Sequence, residues 1–378
     1  MKAIKLMPPK SGGMYHFGRT SLDESDFIVH SDTLFSAICM NLRSLYGESV
    51  FQKLHSYLFN ELQISSAFHY LDIYKGPTSD KQTFVGTLYF FPKPLITPAI
   101  VSSDKKFFEQ EQKKWKKIRF VSKDVLEAIA SGDGIGFNRN LILGEYLISE
   151  HDYKLLALDN VSNVQQMDTI KERLAFVHEI MEQKVKISRM NHTSLETFYQ
   201  GNIFFSNSQY YVYDTTNSTN KKIFFTLKPG MFFLLNDHEN KIPKEIIAAI
   251  RMITDAGLGG KRTTGKGLFA DCQIKEFSFA FKGVEEISDS RDFLSLSVVI
   301  PNKEEISALK NYTLSVKRGF VYSLKQRMLR KRSITAIDEG SIFSTKITGK
   351  IVNVAPKIMD EHNVFRFGRA FLLPINRT

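Results

Sequence analysis

Residues 257 to 267, GLGGKRTTGKG, constrain this chain more than any other stretch, because five glycines and three cations share one short loop. Glycine has no Cβ to forbid positive φ or to hold other backbone at a distance, so such a run builds a loop whose main chain can lie against a ligand. Lys261, Arg262 and Lys266 supply charge, and Thr263 and Thr264 supply hydroxyls. The amides of Gly257, Gly259, Gly260, Gly265 and Gly267 offer the donors of an anion nest. The segment nearly spells the triphosphate loop GxxxxGK[ST] through Gly260, Gly265 and Lys266, but Gly267 stands where a magnesium-holding hydroxyl belongs. The order of elements is also reversed. Helical IPKEIIAAIRMITDA precedes the glycines and strand-like LFADCQIKEF follows, whereas a triphosphate loop needs the strand first and the helix N-terminus facing the phosphates. Two readings remain: a loop for phosphodiester backbone, or a glycine helix stop with a solvated turn.

Charge favours the first. Lysine plus arginine exceed aspartate plus glutamate by 51 to 40, a net charge of +11 that suits an anionic partner such as nucleic acid. With 43% hydrophobic and 24% charged residues the chain is globular, and 378 residues suffice for two or three domains. Cys39 and Cys272 have no CxxC companions, which excludes a zinc ribbon and fits a reducing compartment. No apolar run reaches membrane-spanning length and the start lacks a signal-peptide core, so a cytoplasmic protein without membrane contact is expected. No metal or cofactor is expected. The 31 phenylalanines and 14 tyrosines are expected in part to stack on bases or fill subunit interfaces.

Along the chain, KAIKLMPP reads as a strand stopped by Pro8 and Pro9. SDTLFSAICMNLRSLYG reads as a helix capped by Ser31 or Asp32 and ended by Gly47. NIFFSNSQYYVYDT and KKIFFTLKPG form a hairpin about Asn217 to Asn220, followed by a helix at 243–256, the glycine loop and a strand from Leu268. The order is βαββαβ, an α+β ferredoxin-like (RRM-like) domain over residues 1–280, with a large insertion at about 50–200 between the first helix and the second strand. Within the insertion, ISSAFHYLDIY and QTFVGTLYFFPKPL look like strands, and a basic helical segment carries Trp115 as either an anchor or an RNA contact. Leu141 to Asn163 is expected to project as a hairpin. Residues 281–378 form a second, degenerate ferredoxin-like domain. Between 310 and 332 stand Lys310, Lys317, Arg318, Lys325, Arg327, Arg330, Lys331 and Arg332 with no acid, a bias that suits a nucleic-acid or acidic-protein surface.

HSDTLFSAI at 30–38, KISRMNHTSLETFYQGNIFF at 186–205, GLGGKRTTGKGLF at 257–269, EGSIF at 339–343 and FRFGRAFLLPI at 365–375 together resemble the fourth subunit of the type III-A CRISPR effector, the Csm complex, within the repeat-associated RNA-binding (RAMP) superfamily. The match runs nearly end to end. It implies two ferredoxin-like domains and a non-catalytic scaffold in antiviral defence. Such a scaffold holds the repeat-derived 5′ handle of the guide RNA, docks the large Cas ten-type subunit and touches the adjacent backbone subunit. It also implies a thumb-like hairpin, which the residues do not locate. On this reading Lys261 and Arg262 meet phosphates, while Arg19, His30 and Ser31 line the same groove. Arg189 lies near the RNA or the large subunit, or else in a surface ion pair. Arg318, Arg330 and Lys331 belong to the basic surface, and Asp32 is either helix cap or RNA contact. The alternative is a metal-independent endoribonuclease maturing the precursor guide, with His16, His30 or His192 as its acid or base.

Overall fold

Four consecutive buried residues, Ala3 to Leu6, mark the first strand as central to a sheet covered on both faces. The structure, a computed structural model, describes residues 1–18, 23–76, 81–96, 112–135, 141–161, 163–213, 221–236, 242–281, 291–321, 329–358 and 362–376. Its N-terminal strands are β1 Lys2–Met7, β2 Gly13–Tyr15, β3 Phe68–Lys75, β4 Thr83–Pro92, β5 Phe120–Ser122, β6 Ile142–Leu143, β7 Tyr146–Leu147, β8 Val177–Ile187, β9 Ser194–Phe205, β10 Ser208–Tyr213, β11 Lys222–Leu235 and β12 Asp271–Glu276. The main sheet has nine strands in the order β12-β1-β11-β3-β4-β5-β7-β6, with β10 also on β11. β2, β9 and β8 make a separate three-stranded sheet. Toward the C-terminus a four-stranded sheet runs in the order Leu309–Asn311, Ile342–Phe343, Arg291–Ser295, Leu372–Asn376. The protein is thus mixed α+β, with several sheets and few helices.

The first helix and the helix before the glycine loop pack on one face of the main sheet. Leu34, Phe35, Ile38 and Leu42 of the first helix and Ile246, Ala249 and Ile250 of helix Lys244–Arg251 share a core with Ile4, Leu6, Met231, Phe233 and Leu235. Asn41 joins the two helices by donating to the Ala249 carbonyl (3.0 Å). The first helix does not stop at Gly47. It runs from Ser31 to Lys53, and Gly47 takes φ 76° as a kink within it. Its N-cap is His30, not Ser31 or Asp32, which lie inside the first turn.

β10 pairs with β11 as expected, but the run NIFFSNSQYYVYDT is divided, its first residues ending β9 at Phe205 and β10 starting at Ser208; the turn at Asn217 to Asn220 lies outside the described residues, and β11 continues past Gly230 to Leu235. Pro229 stands where neither β10 nor β1 pairs with β11, the place along the strand at which a missing donor costs least. On its other edge β11 pairs with β3, whose residues 68–75 lie inside the stretch read as an insertion. The insertion therefore lies between β3 and β11, and most of its strands, β4 to β7 and β10, extend the same sheet while β8 and β9 form another. Within it, Leu141 to Asn163 does not project: β6 and β7 make a tight hairpin whose Leu143, Tyr146 and Leu147 are buried, followed by helix Glu150–Leu155. Trp115 is an anchor, 7% exposed in the core, with Lys93 Nζ 5.1 Å from its ring centroid. Several phenylalanines are spent in this core too, where Phe68, Phe90, Phe91, Phe176 and Phe232 are fully buried. Among the described residues no helix is long and apolar enough to cross a membrane.

Candidate nucleic-acid interface

The glycine loop is a closed structure docked on the segment around β2. Helix Ile253–Ala256 ends at Gly257 (φ 72°), and the Leu258 amide donates to the Gly267 carbonyl (2.9 Å), which closes the loop at its neck. Gly260 donates to the His16 carbonyl (2.8 Å) and Gly267 to the Met14 carbonyl (2.9 Å). A Cβ on Gly259 would lie 2.6 Å from the His16 oxygen, and one on Gly267 would lie 2.1 Å from the Leu258 oxygen. These glycines serve the protein's own backbone contacts, so several donors expected of an anion nest are spent on the fold. What the loop presents outward is its tip. Lys261 (φ 60°), Arg262, Thr263, Thr264 and Gly265 are exposed around a single 3₁₀ turn. Arg262 donates to the Ala256 carbonyl (3.1 Å), and the Thr264 hydroxyl to the Lys261 carbonyl (2.7 Å). Lys266 turns inward, 5% exposed, with its Nζ 2.6 Å from Glu182 Oε2, so its charge is neutralised.

Glu182 belongs to the long hairpin of β8 and β9, whose root pairs with β2. Its outer half is exposed on both faces, and Met190 at the turn is 96% exposed. Arg189 lies exposed beside Met190 in this turn, and His192 (φ 55°) closes it. The structure thus brings a projecting hairpin up to the loop, with Lys184 also paired to Glu182 (3.2 Å). Gly201 in β9 admits the Asp23 carbonyl, which would sit 2.2 Å from a Cβ. Arg19 falls outside the described residues.

His30, Ser31 and Asp32 face the C-terminal unit. Ser31 is fully buried, and its hydroxyl accepts from the Val298 amide (3.1 Å) while its own amide donates to Ser66 Oγ (2.8 Å). Asp32 is buried against Arg366, which also donates to the Arg318 carbonyl (3.1 Å). His30 Nδ1 lies 2.9 Å from Glu339 Oε1 and its Nε2 lies 3.3 Å from Asp26 Oδ2. Burial alone would discharge the imidazole, but Glu339 and Asp26 outweigh it against the opposition of Lys317 and raise it to about 10. Burial likewise pushes the Glu339 carboxyl up, yet His30, Lys317 and the Ser66 hydroxyl hold it down at about 2. Glu339, Asp26, Ser66 and Arg366 carry no signal in the sequence that marks them as partners of the first helix. Glu339 and Arg366 lie in EGSIF and FRFGR, but no local pattern pairs them with a helix about three hundred residues upstream.

The basic stretch 310–332 divides. Lys310 pairs with Asp292 (2.5 Å) and Lys317 with Asp338 (3.1 Å). Arg332 donates to the Asn353 carbonyl (2.6 Å). In Lys331, burial lowers the ammonium's pKa and Arg366 adds to this, against Asp32. Arg318 and Arg330 are exposed, the latter 5.5 Å from the Phe320 ring centroid. Lys325 and Arg327 lie outside the described residues. One cluster has metal-ligand types, Asp124, His151 and Asp152, with ligand atoms within 4.8 Å of one another. Asp152 already completes the capping box of helix Glu150–Leu155 by accepting from the Ser149 amide (2.9 Å), and Asp124 is paired with His151 (2.9 Å).

Comparison with known proteins agrees along the whole chain. Residues 288–375 match the family model of the CRISPR Csm4 C-terminal domain. A Methanocaldococcus jannaschii protein described as CRISPR system Cms protein Csm4 is 26% identical over 395 residues, covering 100% of this chain and 98% of that protein. A Mycobacterium tuberculosis protein of the same description is 25% identical, covering 95% and 94%. Among solved structures, a chain of the Csm3–Csm4 subcomplex in the type III-A CRISPR–Cas interference complex superimposes with TM-score 0.63 at 23% identity, covering 100% of both chains. A chain of the Csm1–Csm4 cassette in complex with pppApA gives 0.54 at 17% identity, covering 99% and 97%. The likeness to these two chains is one of fold. Over its whole length the chain is similar to proteins described as Csm4, and residues 288–375 match the C-terminal domain of that family.

Proposed function

We propose that the protein is a non-catalytic RNA-binding scaffold of a cytoplasmic type III-A interference complex. It holds the 5′ handle of the guide RNA and docks the large Cas ten-type subunit and the adjacent backbone subunit. The observation that carries this is the tip Lys261–Gly265, held outward by a neck that is hydrogen-bonded to the segment around β2 and lies beside the β8–β9 hairpin. Phosphate contacts from Lys261 and Arg262 would fix the handle's register, and the hairpin with Arg189 at its turn is the candidate for the thumb. The sheet order β12-β1-β11-β3 supports a ferredoxin-like unit in residues 1–280, its four strands being β1, β3, β11 and β12, with 281–378 as the second unit. Partnership with a large subunit and a backbone subunit is supported by the Csm1–Csm4 and Csm3–Csm4 assemblies in which similar chains occur.

The endonuclease reading draws no support from His30. Both ring nitrogens of His30 are already engaged, Nδ1 by Glu339 and Nε2 by Asp26 and Lys317, and the raised pKa opposes the neutral form that a general base needs near pH 7. His16 Nδ1 is engaged by the Gly201 carbonyl (2.7 Å).

The test is the affinity of handle RNA for the full chain across a salt series, with wild type beside Lys261→Gln/Arg262→Gln. Losing two phosphate contacts on a single strand should flatten the log–log salt slope by about 1.4 and weaken binding at low salt. An unchanged slope and affinity would remove the loop from the RNA site.

A further inference from the structure

In the first half of β11, Phe225 and Leu227 enter the core, while Phe224, Thr226 and Lys228 lie on the other face, where Thr226 is buried under Gln82 and Gln209, which donate to its hydroxyl (2.7 and 3.1 Å). The register lines up Tyr213 with Lys222, Tyr211 with Phe224, Tyr74 with Thr226, and Phe84 with Tyr74, so β10, β11, β3 and β4 contribute to one face. Farther along β11 that face is covered, where Phe232 packs against Tyr89, Phe91 and Phe277. On either side of Thr226 it is open: Phe84 is 48% exposed, Phe224 38%, Tyr211 37% and Tyr213 36%.

Each group of rings has an ammonium beside it. Lys222 Nζ lies 4.4 Å from the Tyr211 centroid and 6.0 Å from that of Tyr213. Lys228 Nζ lies 4.1 Å from Tyr74, and Lys275 Nζ 5.6 Å from Phe84. The rings touch one another, with centroids of Tyr211 and Tyr213 5.6 Å apart, Tyr211 and Phe224 6.0 Å, and Tyr74 and Phe84 5.6 Å. The acid on this face of β3, Asp72, is buried against Lys5 Nζ at 2.6 Å, so its charge is cancelled inside the protein.

We propose that this strip is a stacking platform for single-stranded nucleic acid, built from elements other than those that hold the glycine loop. Bases lie on Tyr211, Tyr213, Phe224 and Phe84, and phosphates meet Lys222, Lys228 and Lys275. Every base has a π-face, so such a surface holds a strand without reading its sequence, and its cations make the hold salt-dependent. The composition favours this occupant over a protein, because protein interfaces enrich aromatics but deplete lysine. Here each aromatic group has a lysine.

Ultraviolet crosslinking of the full chain to an oligouridylate decamer carrying 4-thiouridine tests the proposal. Adducts are expected on residues 208–213 and 222–228, and they should persist in Lys261→Gln/Arg262→Gln, which separates this surface from the glycine-loop reading. Tyr211→Ala/Phe224→Ala should weaken decamer binding at least about tenfold, and Tyr211→Phe should keep it. An abasic phosphodiester of equal length should bind no better to wild type than to the double alanine variant. Adducts confined to residues 257–267, or equal affinity of wild type and the double variant, would overturn the proposal. So would protection of residues 208–213 from hydrogen exchange by a protein subunit of the complex in the absence of nucleic acid.

Discussion

Replacing Asp32 by asparagine separates two readings of the first helix, an internal clamp or an RNA-facing groove. The Asp32 and Arg366 side chains are 6% and 8% exposed, so both charges have left water and compensate each other. Asparagine keeps the volume and one acceptor oxygen but removes the carboxylate charge, so the guanidinium stays inside the protein uncompensated, with Lys331 as a like-charged neighbour. Breaking a buried pair by removing one partner costs about 3–5 kcal/mol. Arg366→Met should cost less, since Lys331 remains to face Asp32. Asp32→Leu/Arg366→Met together should recover most of the loss, because replacing both charges removes the desolvation cost. Guanidinium unfolding followed by circular dichroism, with hydrogen exchange at amides 33–38, measures the series. RNA affinity, taken well below the unfolding midpoint, should hardly move. The reasoning is refuted if Asp32→Asn leaves the midpoint in place while changing RNA affinity more than tenfold.

The His30–Glu339 pair should make stability depend on pH in two directions. His30 is raised from its ordinary 6.5 to about 10, so its contribution is complete below 6.5 and is lost as pH climbs toward 10. Glu339 is lowered from 4.5 to about 2, so its contribution is complete above 4.5 and is lost as pH falls toward 2. Unfolding midpoints should therefore peak between about 4.5 and 6.5, and His30→Gln should flatten the alkaline limb. In the glycine loop, Gly265→Ala meets no atom within 4 Å and should cost about 1 kcal/mol for its positive φ alone. Gly267→Ala adds a Cβ 2.1 Å from the Leu258 oxygen and should lower the thermal midpoint clearly further, and equal midpoints would contradict the closed neck.

Periodic elements were legible in the sequence: β1, the first helix, the β10–β11 hairpin and the helix before the glycines. What sequence could not carry was partnership over distance. The run containing β3 read as a strand, but its pairing with β11 depends on two segments about 150 residues apart, and no local pattern encodes that. Ser31 and Asp32 have the composition of a cap, and the same polarity serves equally well for a buried cross-link. Gly47 has the composition of a stop, yet positive φ also permits a kink when helical residues follow. The glycine loop was found by composition, but the purpose of Gly259 and Gly267 depends on backbone contributed by His16 and by the opposite side of the neck.

Three motifs far apart in the chain meet through these contacts, and the result bears on how the loop tip is held. Gly260 hangs from His16, and Gly259 lies against His16 and Phe17. The Phe17 carbonyl accepts from the Asp26 amide (2.7 Å), and the Asp26 carboxylate grips His30. His30 in turn is held by Glu339, and the next two residues, Ser31 and Asp32, fasten to Val298 and Arg366. A glycine-rich loop on its own would sample many conformations and lose binding affinity to the ordering. Here its neck is fixed by short hydrogen bonds to a segment that is itself anchored, through buried charge, to the C-terminal unit. The tip can therefore stay exposed and cationic without being floppy, and the C-terminal motifs bear on the loop's position without having to touch its ligand.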